Sequence, residues 1–240
     1  MVIDSFPGSA ARYADDHRVV VVDVIRATTL AVTAVAAGRR CLVAMGPDDA
    51  VAIRRRIGGA LLAGELAGDV PVGFDMNNSP ADLDRRTDVE CPLVMMSTSG
   101  APLMLEAGRA SGGGSVACFR NFSAVARDLI GAHRRVAIIG AGSRGEFREE
   151  DQMCCAWIGE LLMNAGYAPE TDETSRIVER WSGAPATACE SSNSVAYLRR
   201  SGQLQDYDHI VSHVDDLDIA CVVVGNEVFA IQPATRASRA

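Results

Sequence analysis

The chain has 240 residues, 48% hydrophobic and 22% charged, with a formal net charge of −8. That balance is ordinary for a soluble globular protein with one sizeable core, and it leaves no dense basic face to neutralise nucleic-acid phosphates. All 23 basic residues are arginine, which excludes pyridoxal Schiff-base chemistry and the Walker A phosphate loop, since both need lysine.

The first strong signal is Val19-Val-Val-Val-Asp-Val-Ile-Arg-Ala-Thr-Thr29. The valine run predicts a buried strand over Arg18–Ile25, and Thr28–Ala37 predicts the helix that follows. Asp23 and Arg26 fall at the strand end, and Thr28 and Thr29 lead into the helix. A carboxylate, a guanidinium and a helix N-terminus in one small volume suit a metal ion and a phosphate-like anion.

Next come a strand over Arg40–Met45, a helix over Pro47–Ile57 with Asp48 and Asp49 in its first turn, and a strand over Ala60–Ala63. The segment from Gly64 to Pro80 is rich in glycine and carries the isolated acids Glu65 and Asp75 before Asn78-Ser79-Pro80. A loop of this length at a strand end is a place where sites are built. A strand over Pro92–Ser97 then runs into Met96-Ser-Thr-Ser-Gly100 and a helix over Ala101–Ala110. Ser97, Thr98, Ser99 and Gly100 could cradle an anion, or Ser99 could simply cap the helix.

Strands over Ser115–Phe119 and Arg135–Gly140 alternate with helices over Asn121–Ala132 and Glu149–Ala165. Gly140-Ala-Gly142-Ser-Arg-Gly145 matches the dinucleotide pattern GxGxxG. Glu146, Glu149, Glu150 and Asp151 follow it, however, and would set carboxylates beside a pyrophosphate. Pro169–Trp181 reads as helix where a second strand is needed. These acids suit a metal ion or water activation better, with favourable helix-dipole charge accounting for Glu146 and Glu149.

After Tyr167 the pattern changes. Pro169–Trp181 and Ser194–Ser201 read as helices, and Asp218–Val224 and Glu227–Ile231 flank Gly225-Asn226 as a weak hairpin. The expected organisation is an α/β core over 1–166, a C-terminal helical and hairpin portion over 167–232 acting as subdomain or lid, and a disordered tail over 233–240. His209 and His213 have metal spacing but no third ligand, so a surface helix is the better reading. Cys154 and Cys155 sit at core positions of a helix. Seven cysteines without a CxxC pair, and no signal-peptide pattern, lead us to expect reduced thiols in a cytoplasmic protein. No apolar run approaches the ~20 residues that span a membrane. The fold class expected is a three-layer α/β/α structure with a largely parallel or mixed sheet and a smaller C-terminal portion.

Several motifs, in order, resemble the 2-phosphosulfolactate phosphatase family. They are Val-Asp23-Val-Ile-Arg26-Ala-Thr28-Thr29, Gly64-Glu65, Gly73-Phe74-Asp75 with Asn78-Ser79-Pro80, Asn121-x-Ser123-Ala124-Val125, Gly140-Ala-Gly142 and Glu150-Asp151-x-x-Cys154. The resemblance implies an α/β, Mg2+-dependent phosphomonoesterase acting on 2-phospho-3-sulfolactate, a step toward coenzyme M. It would place Asp23, Arg26, Thr28, Thr29, Glu65, Asp75, Asn78, Ser79 and Asp151 in the site. On that basis Asp23, Arg26 and Asp151 are the expected catalytic residues. Asp23, Glu65 and Asp151, with Asp75 as a fourth, are the expected Mg2+ ligands. Arg26, Thr28, Thr29, Asn78, Ser79 and Ser97–Gly100 are expected to hold the substrate. Water attack and a covalent carboxylate route both stay open.

The chain departs from the family pattern at Leu66 (arginine in the family), at Asn77 (glycine) and across Ser97-Thr98-Ser99-Gly100-Ala101 (Thr-Thr-Asn-Gly-Thr). Phosphatase chemistry on a small anionic phosphorylated metabolite is therefore a firmer expectation than sulfolactate specificity. The alternatives are a non-catalytic ligand-binding relative and a dinucleotide enzyme using Gly140–Gly145. No nucleic-acid or membrane partner is expected, and a homodimer only on the base rate for such proteins.

Overall fold

Alternating strands and helices fold here into three α/β/α layers around one mixed sheet. The computed structural model describes residues 1–143 and 145–231; the tail expected over 233–240 lies outside them. Strand β1 (Val2–Ser5) leads through a 3-10 turn to α1 (Ala10–Tyr13), β2 (Arg18–Val22) and α2 (Ala27–Ala36). Then come β3 (Cys41–Val43), α3 (Pro47–Arg56), β4 (Leu61–Gly64), α4 (Pro80–Asp84), β5 (Leu93–Met96) and α5 (Gly100–Gly108). They are followed by β6 (Gly114–Ala117), α6 (Phe122–Leu129), β7 (Val136–Gly140) and α7 (Glu149–Asn164). Helices α8 (Asp172–Trp181), α9 (Asn193–Arg200) and α10 (Leu204–Ser212) precede β8 (Ala220–Val224) and β9 (Glu227–Ile231). Strand β1 has no counterpart in the sequence reading, because four residues are too short to display a period.

Among the described residues the strand order is β1-β7-β2-β6-β8-β9-β3-β5-β4. β1, β7, β2 and β6 form one parallel block, and β3, β5 and β4 form another. The β8–β9 hairpin sits between them, antiparallel to β6 on one side and to β3 on the other. The last two strands of the expected C-terminal portion thus lie inside the common sheet, where they pair the strand edges that the earlier segment leaves open. Glycines allow the hairpin to dock. A Cβ on Gly113 would lie 2.1 Å from the Val223 carbonyl oxygen, and one on Gly108 would lie 2.3 Å from that of Gly225.

Alternate β2 residues serve opposite faces: Val19 and Val21 join the core around α2 and α5, while Val20 and Val22 join the core around α6, α7 and α8. Full burial of each such valine contributes about 1.5–3 kcal/mol. Eight of the ten α2 residues are buried. This helix has no solvent face because residues from both strand blocks close on it. A third cluster packs α3 on β3, β4 and β5.

All seven cysteines are free, and six are buried. Burial pushes the Cys154 and Cys155 thiols well above their usual range, so these two pack rather than react. Among the described residues no helix is long and apolar enough to cross a membrane.

Candidate active site

β2 and β7 are neighbours, yet the chain leaves β2 for α2 on one face and leaves β7 for α7 on the other. Such a switch in crossover side opens a crevice beyond the carboxyl ends of the strands. A cavity of about 380 Å³ lies there, with Asp23, Arg26, Glu65, Asn78, Ser97 and Asp151 among its lining residues. β4 and β5 also end at this cavity, although three successive antiparallel pairings reverse their direction relative to β2.

The turn after β2 is built by its own polar groups. The Asp23 N–H donates to Thr28 Oγ1 (2.9 Å), which in turn donates to the Asp23 carbonyl oxygen (2.8 Å). Thr29 Oγ1 donates to the Val24 carbonyl oxygen (2.7 Å). Asp23 Oδ1 accepts the Ala27 N–H (3.1 Å), capping α2. Burial is the main cause that raises the Asp23 carboxyl to about 7; Glu65 and Glu150 add to it, against the Ala27 N–H and Arg26.

Asp151 lies in the first turn of α7, where its Oδ1 accepts the Val24 N–H (2.8 Å) and its Oδ2 the Gly142 N–H (3.2 Å). It ties the β2 turn to the glycine loop. Burial raises its carboxyl well above the usual range, and the Asp23 and Glu150 charges raise it further. Two buried carboxyls thus face each other. The Gly142 N–H that a pyrophosphate would need is already taken by Asp151, and α7 is followed by α8 and not by a strand. Both findings weigh against the dinucleotide alternative.

Glu65 enters from the end of β4. Its Oε1 accepts the Thr98 N–H (2.7 Å), while Oε2 accepts Thr98 Oγ1 (3.1 Å) and the Gly68 N–H (2.8 Å). Ser97 Oγ, not Ser99, caps α5 by accepting the Ala101 N–H (2.9 Å). Gly100 lets α5 start against the turn after β2, since a Cβ there would lie 2.3 Å from Asp23 Oδ2 and 2.6 Å from Ala27 Cβ.

Arg26 is buried and already engaged. Nη1 donates to Asp206 Oδ2 (2.5 Å) and Gln203 Oε1 (2.6 Å), and Nη2 donates to Asn77 Oδ1 (3.1 Å). Asp206, fully buried on α10, also accepts Ser79 Oγ (2.5 Å) and the Ala81 N–H (3.2 Å). Of the five N–H bonds of the guanidinium, three are used. Those left on Nε and Nη2 have no acceptor among the described residues.

A family model described as 2-phosphosulpholactate phosphatase matches residues 7–225. The chain belongs to this family. A protein of Deinococcus radiodurans named probable 2-phosphosulfolactate phosphatase is 32% identical over 213 residues, covering 87% of this chain and 88% of that relative. A Prochlorococcus marinus protein of the same name is 29% identical over 219 residues, 85% of this chain and 86% of the relative. One from Pseudothermotoga lettingae is 37% identical over 142 residues, 59% of this chain and 61% of the relative.

The residues expected from the sequence to form the site divide into two groups. Asp23, Arg26, Glu65, Asn78, Ser97, Thr98, Ser99 and Asp151 line the cavity. Thr28, Thr29, Ser79 and Gly100 do not; they shape the wall behind it, and the three hydroxyls are spent on local bonds or on Asp206. Asp75 stands apart. Its Oδ2 accepts the Leu62 N–H (2.8 Å) and Arg54 Nη1 (3.3 Å), so it fastens the returning loop to β4.

Among the described residues no group of three or more His, Cys, Asp or Glu side chains is arranged to hold a metal ion. Asp23 and Asp151 line the cavity with Glu65, while Asp75 lies with Leu62 and Arg54; His209 and His213 have no third ligand beside them among the described residues. The two rings stack on each other with centroids 4.3 Å apart. Sequence reasoning missed Asp206, Arg148, Tyr197 and Arg200. The last three line the cavity, and Asp206 neutralises Arg26. Only the helical pattern around Ser194–Ser201 pointed toward any of them.

Proposed function

We propose that this protein is a Mg2+-dependent phosphatase acting on a small phosphorylated hydroxy acid, with 2-phospho-3-sulfolactate the first substrate to test. The observation that carries the reading is the convergence of two buried carboxyls, Asp23 and Asp151, at the crevice between β2 and β7. The relatives' shared name supports the substrate and a place in coenzyme M biosynthesis.

The donor set fits a Mg2+ ion held by one or two carboxylates with water and substrate completing its shell, which is how this ion is usually bound. Asp23 Oδ2 accepts no hydrogen bond from the described residues, so it would be free to hold the ion. Asp151 and Glu65, whose oxygens all accept donors, would support it through water. When bound, the ion neutralises charge on the phosphoryl group and makes an attacking water more acidic. The free N–H bonds of Arg26 point the phosphoryl oxygens toward Asp23, and the N-terminal ends of α2, α5 and α7 add positive potential.

Purified protein is expected to release phosphate from small phosphate monoesters with Mg2+ and to stop when EDTA is added. Undiminished release in EDTA would overturn the metal assignment. Gly100→Ala pushes a methyl onto Asp23 and is expected to cost about 100-fold in kcat, as displacement of a reacting group by about an ångström does. Gly46→Ala, where a Cβ meets nothing within 4 Å, is the matched control and should keep full turnover.

A further inference from the structure

We propose that Arg200 is a specificity-determining residue that holds a second anionic group of the substrate, a carboxylate or sulfonate, away from the phosphoryl end. This rests on the phosphatase reading and adds a residue and a chemical class to it. The cavity has two levels. Its floor is buried and holds Asp23, Arg26 and Asp151, whereas Arg200 stands exposed at the rim, on the last turn of α9.

The other arginines among the described residues that line the cavity already have carboxylate partners. Arg26 pairs with Asp206, and Arg148 lies 3.4 Å from Glu146. The neighbouring Arg199 pairs with Glu190 at 3.5 Å. Arg200 has no acidic partner among the described residues. A guanidinium facing a cavity without a partner carboxylate is a receptor for an anion delivered with the ligand.

The placement of α9 is built, not incidental. Leu198 is fully buried in the core, and the Tyr197 hydroxyl donates to the Gly68 carbonyl oxygen at 2.6 Å. This bond fastens α9 to the loop after β4, across the cavity. Gly68 has φ +103°, and a Cβ there would lie 2.8 Å from the Tyr197 oxygen, so only glycine lets the two meet. The clasp holds α9, and Arg200 with it, at the cavity that Asp23 and Asp151 also line. A ligand long enough to span the two would be read at both ends.

The test compares wild type with Arg200→Gln on phosphoglycolate, a phosphate ester bearing a carboxylate, and on p-nitrophenyl phosphate, which has no second anion. Binding is measured by calorimetry and turnover by phosphate release. Arg200→Gln is expected to weaken phosphoglycolate binding about tenfold or more, the usual effect of losing a charge-assisted hydrogen bond. KM should rise with it while kcat holds, and p-nitrophenyl phosphate should change less than twofold. Equal losses on both probes, no loss on either, or no binding of either probe to the wild type would overturn the proposal. Selective weakening of binding in a protein that releases no phosphate would uphold the role of Arg200 and overturn the phosphatase reading alone.

Discussion

Asp23→Asn is expected to make the protein more stable while abolishing its turnover. Asparagine keeps the shape, and its Oδ1 still accepts the Ala27 N–H that caps α2. It cannot repel Asp151, and it costs far less to bury than a carboxylate. The Asp23 carboxyl titrates at about 7 in the fold, well above its unfolded value of 3.8. The folded state therefore holds this proton across a range where the unfolded state has lost it. The stability that the proton confers is complete below about pH 4 and is lost as pH rises through about 7. Above that, burying the charge costs the wild type on the order of 2–4 kcal/mol.

Urea melts of the two proteins should accordingly coincide near pH 4 and separate progressively up to pH 8, with the variant the more stable. Parallel curves over that range would show that Asp23 is not the strained group. Mg2+ should stabilise the wild type at pH 8 and do little for the variant. On the proposed role of Asp23, the variant's kcat should fall about 1,000-fold or more, comparable to removal of a principal electrostatic group from other active sites.

Asp206→Ala is expected to cost about 3–5 kcal/mol, because it leaves the buried Arg26 guanidinium without its counter-charge. Asp206 is completely buried and Arg26 is 4% exposed, so water cannot take over. Ser79 and Ala81 would lose their acceptor as well, loosening the start of α4. A drop in the urea midpoint of the corresponding size checks this. Combining Asp206→Leu with Arg26→Met removes both charges and should recover much of the stability but none of the activity. If Asp206→Ala alone melts like wild type, the pair is not holding the β2 turn to α10.

How legible this was depends on the range over which each residue acts. Val19–Val22 announced a strand because its burial on both faces is a property of consecutive residues. Asp23 announced a site because an acid at such a strand end is hard to explain as core. Thr28 and Thr29 misled, since a hydroxyl that bonds to the backbone five residues away looks in sequence like one offered to a ligand. Asp75 misled in the same way, its carboxylate serving the Leu62 N–H across the loop. Arg26 looked like a free cation because its partner lies 180 residues further along. Arg200 drew no notice because nothing local tells that Tyr197 will meet Gly68.

The position of the β8–β9 hairpin bears on how the molecule is made. During synthesis, β6 and β3 emerge long before residues 220–231, so two half-sheets wait on the ribosome with adhesive edges uncovered. The strands that join them close loops of more than a hundred residues, from Gly114 to Val223 and from Cys41 to Val228. Such distant pairings make for slow folding and a long interval of exposure. A chain cut short before the hairpin would be a sticky intermediate and not a smaller phosphatase, and quality-control systems would meet it as such.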